Sequence, residues 1–163
     1  MDGLWLAARL LLLLGVANSA PIVAKNLLGT RWSAPLDAGL HFADGRPLLG
    51  PSKSVRGVIA AVASTALAGA LLGFSLGLGA VIGAGAMLGD ALSSFVKRRL
   101  GVASSDRATG IDQIPEALLP LVMVRGALDL QVLQIAAITL VFFLLEIPLA
   151  RWAFRLGVRD RPH

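Results

Sequence analysis

Apolar residues run almost unbroken from Leu4 to Ala24, give way to a polar stretch from Lys25 to Arg56, and resume from Gly57 to Val96, where Asp90 is the only charged residue before the basic run at Lys97. Two further apolar segments follow, at 112–124 and 130–150. A helix rises about 1.5 Å per residue, so roughly 20 apolar residues cross a ~30 Å hydrocarbon core. The first and last segments suffice for one crossing each. The 57–96 segment has the length for two, predicted as helices over 57–74 and 78–96 with a turn at Ser75–Gly79. The 112–124 segment is short and contains Pro115 and Pro120, which predicts a kinked or partly re-entrant helix buried by protein. The pattern reads as an all-α integral membrane protein of about five spans (4–24, 57–74, 78–96, 112–124 and 130–150), forming one membrane-embedded domain over 1–163.

Composition agrees. Apolar residues make up 56% of the 163 residues and charged residues only 15%, too few to cover a soluble globule of this size. A leader-like run, Leu10–Leu14 followed by Ala17-Asn18-Ser19-Ala20, competes with a retained first helix. The acidic Asp2, the lack of a basic leader and the polar Asn18 favour retention. Glycine pairs at 69/73, 73/77, 79/83 and 85/89 are small-x-x-x-small repeats, which let helix backbones approach closely where lipid gives no hydrophobic drive to association. The formal charge of +5 does not point to nucleic acid, because the basic residues lie between and after the spans. With the N-terminus outside, the 25–56 loop, the 97–112 loop and the C-terminal tail (Arg151, Arg155, Arg159, Arg161) hold 13 of the 15 basic residues. The positive-inside rule therefore places these loops in the cytoplasm, with Trp152 in an interfacial belt.

The chemistry concentrates between Gly83 and Gln113. An acid within a span is costly, so Asp90 is a candidate functional residue. Asp90, Ser94 and Lys97 lie at i, i+4 and i+7 and share one helix face that descends to the membrane edge. Asp112 returns to the same level at the start of the next span. Two carboxylates at one depth can hold Mg2+, which favours carboxylate, water and phosphate oxygens. Lys97, Arg98 and Arg99, with Lys53 and Arg56, would surround a polyphosphate with positive charge. That arrangement suits phosphoryl or nucleotidyl transfer. Each part also has a plain structural reading: a stop-transfer cluster at 97–99, a helix N-cap at Asp112, an interhelical partner for Asp90, and a structural Glu146 beside Arg151. His41 and His163 are solitary, and the absence of cysteine excludes thiolate metal sites.

Asn18 and Pro21, PLDAGL at 35–40, DGRPLLGPSKSVRG at 44–57, GAGAMLGDALSSFVKRR at 83–99 and DQIPEALL at 112–119 together resemble the CDP-archaeol synthase family. More distantly they are similar to the CTP:phosphatidate cytidylyltransferases. The resemblance implies a five-helix enzyme of the plasma membrane with its site on the cytoplasmic face. Its partners would be CTP and a membrane lipid phosphate, and its products a CDP-lipid and pyrophosphate. It implies that Asp90 and Asp112 bind Mg2+, and that Lys53, Lys97, Arg98 and Arg99 meet the triphosphate and lipid phosphate. Asn18, Asp37, Ser52, Arg56, Ser94 and Gln113 complete the substrate-binding set. SKS at 52–54 departs from the more usual SKT but keeps the hydroxyl. The 100–111 loop lacks the lysine-aspartate-glycine run of the phosphatidate enzymes, which weighs against phosphatidate as substrate. From residues alone, a small transporter or scaffold using Asp90 and Glu146 as intramembrane polar sites stays open, as do the lipid's chain chemistry and a homodimer built on the glycine seams.

Overall fold

The structure, a computed structural model, describes residues 3–102, 111–155 and 157. The 103–110 segment, Asp2, and the tail arginines Arg159 and Arg161 lie outside the described residues, as does the side chain of Arg151. Among the described residues six helices follow in order: α1 (Gly3–Leu28), α2 (Val55–Leu71), α3 (Leu76–Arg99), α4 (Gln113–Met123), the single turn α5 (Arg125–Leu128) and α6 (Val132–Arg155). Three helices, α1, α3 and α6, are long and apolar enough to cross a membrane, while α2 and α4 are shorter apolar helices.

The α2–α3 turn falls at 72–75, earlier than the expected Ser75–Gly79. Gly73 takes the left-handed conformation (φ 83°) that closes it, and Ser75 caps α3 by accepting a hydrogen bond from the Leu78 N–H at 3.1 Å. Gly77 and Gly79 thereby become helical. At the other end α3 continues through Lys97, Arg98 and Arg99, so the basic cluster occupies its last turn, where the helix dipole favours positive charge. α1 runs to Leu28 with Pro21 inside it, and α4 stops at Met123 after Pro120.

Helix α3 is central because its glycines open two faces. A Cβ on Gly79 would lie 2.6 Å from the Thr65 carbonyl oxygen, and one on Gly83 2.9 Å from the Val62 Cα, so α2 packs backbone to backbone on that face. A Cβ on Gly85 would lie 2.7 Å from the Pro120 Cα, and one on Gly89 would collide with the backbone of Pro115 and Glu116. The second seam brings α4 in antiparallel and carries Glu116 up to the turn that holds Asp90. Beyond the seams, Leu10, Leu13 and Leu14 of α1, Ile82 of α3, Leu121 of α4 and Ile135, Ile138 and Phe142 of α6 form one apolar core. That core fills the half of the bundle away from the basic loops and leaves the other end for polar groups.

The 29–54 loop is ordered. Leu36 N–H donates to the Lys53 carbonyl (2.8 Å), Leu48 N–H to that of Leu40 (2.8 Å) and Phe42 N–H to that of Arg46 (2.9 Å), making a narrow hairpin with its base at Leu36/Lys53 and its tip at 42–46. Ser54 then caps α2, accepting from the Gly57 N–H at 3.2 Å.

Gly89→Ala is expected to destabilise the protein in detergent by about 3 kcal/mol or more through overpacking. Gly15→Ala, where the new methyl meets no atom within 4 Å, should stay within about 1 kcal/mol of the parent. Equal thermal stability of the two variants would show that the α3–α4 seam does not need its glycine.

Candidate active site

Loop, α1, α2 and α3 enclose a cavity of about 630 Å³ at the basic end of the bundle. Asn18 and Pro21 of α1, Ser52, Lys53 and Arg56 from the loop and the start of α2, and Asp90 of α3 line it. Four of the five motif segments thus contribute to one space, and DQIPEALL at 112–119 lies outside it. At its edge the Lys53 ammonium donates to both carboxylate oxygens of Asp90 at 2.5 Å, with both side chains about one-fifth exposed. An ammonium has three N–H donors, so one remains for another acceptor.

A second ion pair joins the 97–99 cluster to the next helix: Lys97 Nζ lies 2.7 Å from an oxygen of Asp112. Ser94, Lys97, Arg98 and Gln113 are buried in the same region and do not line the cavity. Asp112 stands at the N-cap position of α4 without a side-chain cap hydrogen bond, so its carboxylate is turned to Lys97. Gly89 against Pro115 and Gly85 against Pro120 set the register. The two acids take different partners, Lys53 for Asp90 and Lys97 for Asp112.

Glu116 is a residue that the motif reading passed over although it stands in DQIPEALL. Its buried carboxyl lies against that of Asp90, with Lys53 and Glu146 in the same electrostatic neighbourhood. The signal was present in the spacing: Asp112 and Glu116 are i and i+4 on α4 and share a face. Glu146 itself is partly buried on α6.

Three other expected substrate residues make hydrogen bonds to the protein backbone. Asp37 accepts from Gly39 N–H (3.0 Å) on one oxygen and from Leu49 and Gly50 N–H (2.8 and 2.9 Å) on the other, tying the middle of the hairpin. Burial pushes its carboxyl pKa up, but the N–H groups of Gly50, Leu49 and Gly39 outweigh it and hold the group below its ordinary value. Arg56, buried at the start of α2, donates to the carbonyls of Gly29 (2.9 Å) and Arg31 (2.5 Å), fixing the chain where it leaves α1. Arg99 donates to the carbonyls of Arg46 and Pro47 (3.3 and 2.7 Å).

The donor chemistry fits Mg2+. Asp90, Asp112 and Glu116 offer hard carboxylate oxygens, and both oxygens of Asp90 already hold a compact cation in the Lys53 ammonium. Among the described residues no three histidine, cysteine or acidic side chains form a cage.

Fold and site together define an integral membrane protein with an acid–lysine centre at one end of a helical bundle. A CarS-like family model, described as CDP-archaeol synthase, matches residues 72–163. The chain is 34% identical over 160 residues to the CDP-archaeol synthase of Thermofilum pendens, covering 90% of this chain and 75% of the relative. It is 34% identical over 153 residues to that of Sulfurisphaera tokodaii, covering 90% and 89%. A solved structure of an intramembrane enzyme for archaeal membrane lipids biosynthesis superimposes with a TM-score of 0.72 at 33% identity, over 87% of this chain and 90% of that one. The chain belongs to the CDP-archaeol synthase family, a family of membrane-embedded nucleotidyltransferases.

Asp37→Ala removes the acceptor of three N–H groups, and bonds to a charged group are worth about 1.5–3 kcal/mol each. The variant is expected to open the 29–54 loop to limited proteolysis, with Asp37→Asn intermediate. Because the folded pKa is depressed, the stabilisation is present above the ordinary carboxyl value and lost as pH falls through the lower folded one. Protection of the wild-type loop should therefore persist at pH 5 and fail only below about pH 4. Unchanged cleavage of Asp37→Ala would remove Asp37 as the tie.

Proposed function

We propose that the protein transfers CMP from CTP to a phosphorylated archaeal ether lipid, releasing pyrophosphate and leaving a CDP-lipid ready for attachment of a polar head group. The observation that carries this reading is the Lys53–Asp90 pair at the edge of a cavity, set where a membrane helix meets a basic loop. The names of the relatives support the lipid product, and the cavity's lysine and hydroxyl lining suits a triphosphate.

In the reaction, an oxygen of the lipid phosphate attacks the α-phosphorus of CTP in line. A new P–O bond forms as the bond to the β-phosphate oxygen breaks, and the electron pair leaves with pyrophosphate. No protein nucleophile is consumed. Lys53, at the cavity edge, and Lys97 with Arg98, one helical face along, offset the phosphate charge, while Asn18 and Ser52 orient the nucleotide. Asp90 and Asp112 would hold Mg2+, which would supply further neutralisation of phosphate charge. Glu116 belongs to the same acidic group. The positive charge of the loops supports a site on the cytoplasmic face of the plasma membrane, with the N-terminus outside, where CTP is available.

Purified protein given CTP and Mg2+ is expected to release pyrophosphate with the phosphorylated archaeal ether lipid and much less with phosphatidate. Asp90→Asn and Asp112→Asn should each lower turnover by about a hundredfold or more while the protein stays inserted. Lys97→Ala should chiefly raise the KM for CTP. Full activity in either aspartate variant would remove that acid from the mechanism, and silence with both lipids in folded protein would overturn the reading.

A further inference from the structure

The 29–54 hairpin is attached to α3 at two places nine residues apart along the helix. At its base, Lys53 sits on Asp90. At its tip, two arginines exchange backbone contacts. Arg46 Nη1 donates to the carbonyls of Arg98 (3.2 Å) and Arg99 (2.6 Å), and Arg99 Nη2 donates back to those of Arg46 and Pro47 (3.3 and 2.7 Å).

The tip contact is built from several kinds of interaction. Arg46 donates to carbonyls in the last turn of α3, at the negative end of the helix dipole, and that of Arg98 also accepts from the Gly101 N–H at 3.2 Å. The Arg99 guanidinium lies 4.9 Å from the ring centres of both Phe42, in the tip, and Phe95, one turn back on α3. Those rings meet edge to face at 5.3 Å. Asp44 approaches Arg99 Nε at 3.2 Å. Cation–aromatic contacts add to the hydrogen bonds.

Between base and tip, the hairpin bonds and the Asp37 tie make the loop one stiff unit. A stiff strap held at both ends fixes the angle at which its base presents Lys53. Freed at the tip, it can pivot about the base.

We propose that Arg46 and Arg99 form a reciprocal latch that holds Lys53 beside Asp90, within reach of the arriving phosphate, so that both act through the loop and neither touches substrate. The proposal rests on the cytidylyl-transfer reading for its kinetic test and on geometry alone for its structural one. It separates Arg99 from its neighbours Lys97 and Arg98, although the three are adjacent in sequence.

The test uses Arg46→Ala, Arg99→Ala and the double variant in the full-length protein. Steady-state kinetics with CTP are run beside amide hydrogen exchange over residues 36–50 and over α3. Each single variant should accelerate exchange of the Leu40–Leu48 and Phe42–Arg46 pairs, leave α3 around Asp90 protected, and lower kcat/KM about ten- to a hundredfold. The double variant should be no worse than the weaker single variant by more than about threefold, as expected for residues that act as one unit. Arg46→Lys, which keeps charge at the helix end but has no planar fork, should recover part of the loss. Multiplying losses, or a rise in the KM for CTP confined to Arg99→Ala, would overturn the latch and make Arg99 a substrate contact. Parental exchange over 36–50 in both single variants would overturn it whether or not the protein turns over CTP.

Discussion

A lysine from a loop set on an aspartate that a helix carries into the membrane is the contact on which the rest of the molecule depends. An isolated carboxylate at that depth is costly to ionise, and its partner must therefore be held there by structure. Much of the chain serves that end. The hairpin, the Asp37 tie and the Arg56 anchor keep the loop ordered, and the glycines of α3 let α2 and α4 close around the helix so that the loop has a firm surface to lie on.

The glycine seams decide where chemistry can occur. On the α2 side they bring backbones together at Gly79 and Gly83, and the cavity opens beyond that seam, toward the loop. On the α4 side the same close approach at Gly89 carries Glu116 to Asp90, while Asp112 at the start of α4 meets Lys97. Acids from two helices and a lysine from a loop thus meet at one end, while leucines, isoleucines and Phe142 fill the other. The division suits an enzyme that must bring a water-soluble nucleotide to a lipid phosphate.

Much of this was legible in the chain. The apolar runs announced the helices, and the interruption at 25–56 announced a loop with work to do. The placement of the α2–α3 turn was not legible, since a stretch holding Gly73, Gly77 and Gly79 offers several equivalent turns. Only packing of Gly79 on Thr65 and Ala66 chooses Gly73. The roles of the basic residues were equally hidden. Lys53, Arg56, Lys97 and Arg99 look alike in sequence, but one grips Asp90, one fixes a chain exit, one grips Asp112 and one pins a hairpin tip. Those assignments depend on which carbonyl or carboxylate the fold brings near, and no spacing rule encodes that. Glu116 was readable from its i, i+4 relation to Asp112, yet its partner Asp90 lies on another helix and becomes visible only through the Gly89 contact.

The most direct test of the account is a structure determined with Mg2+ and a non-hydrolysable CTP analogue. The account predicts the triphosphate in the cavity beside Asn18, Ser52 and Lys53, with the Lys53 ammonium drawn from Asp90 to a phosphate oxygen and the carboxylate turned to the metal. A nucleotide bound elsewhere, with the Lys53–Asp90 pair intact, would contradict it.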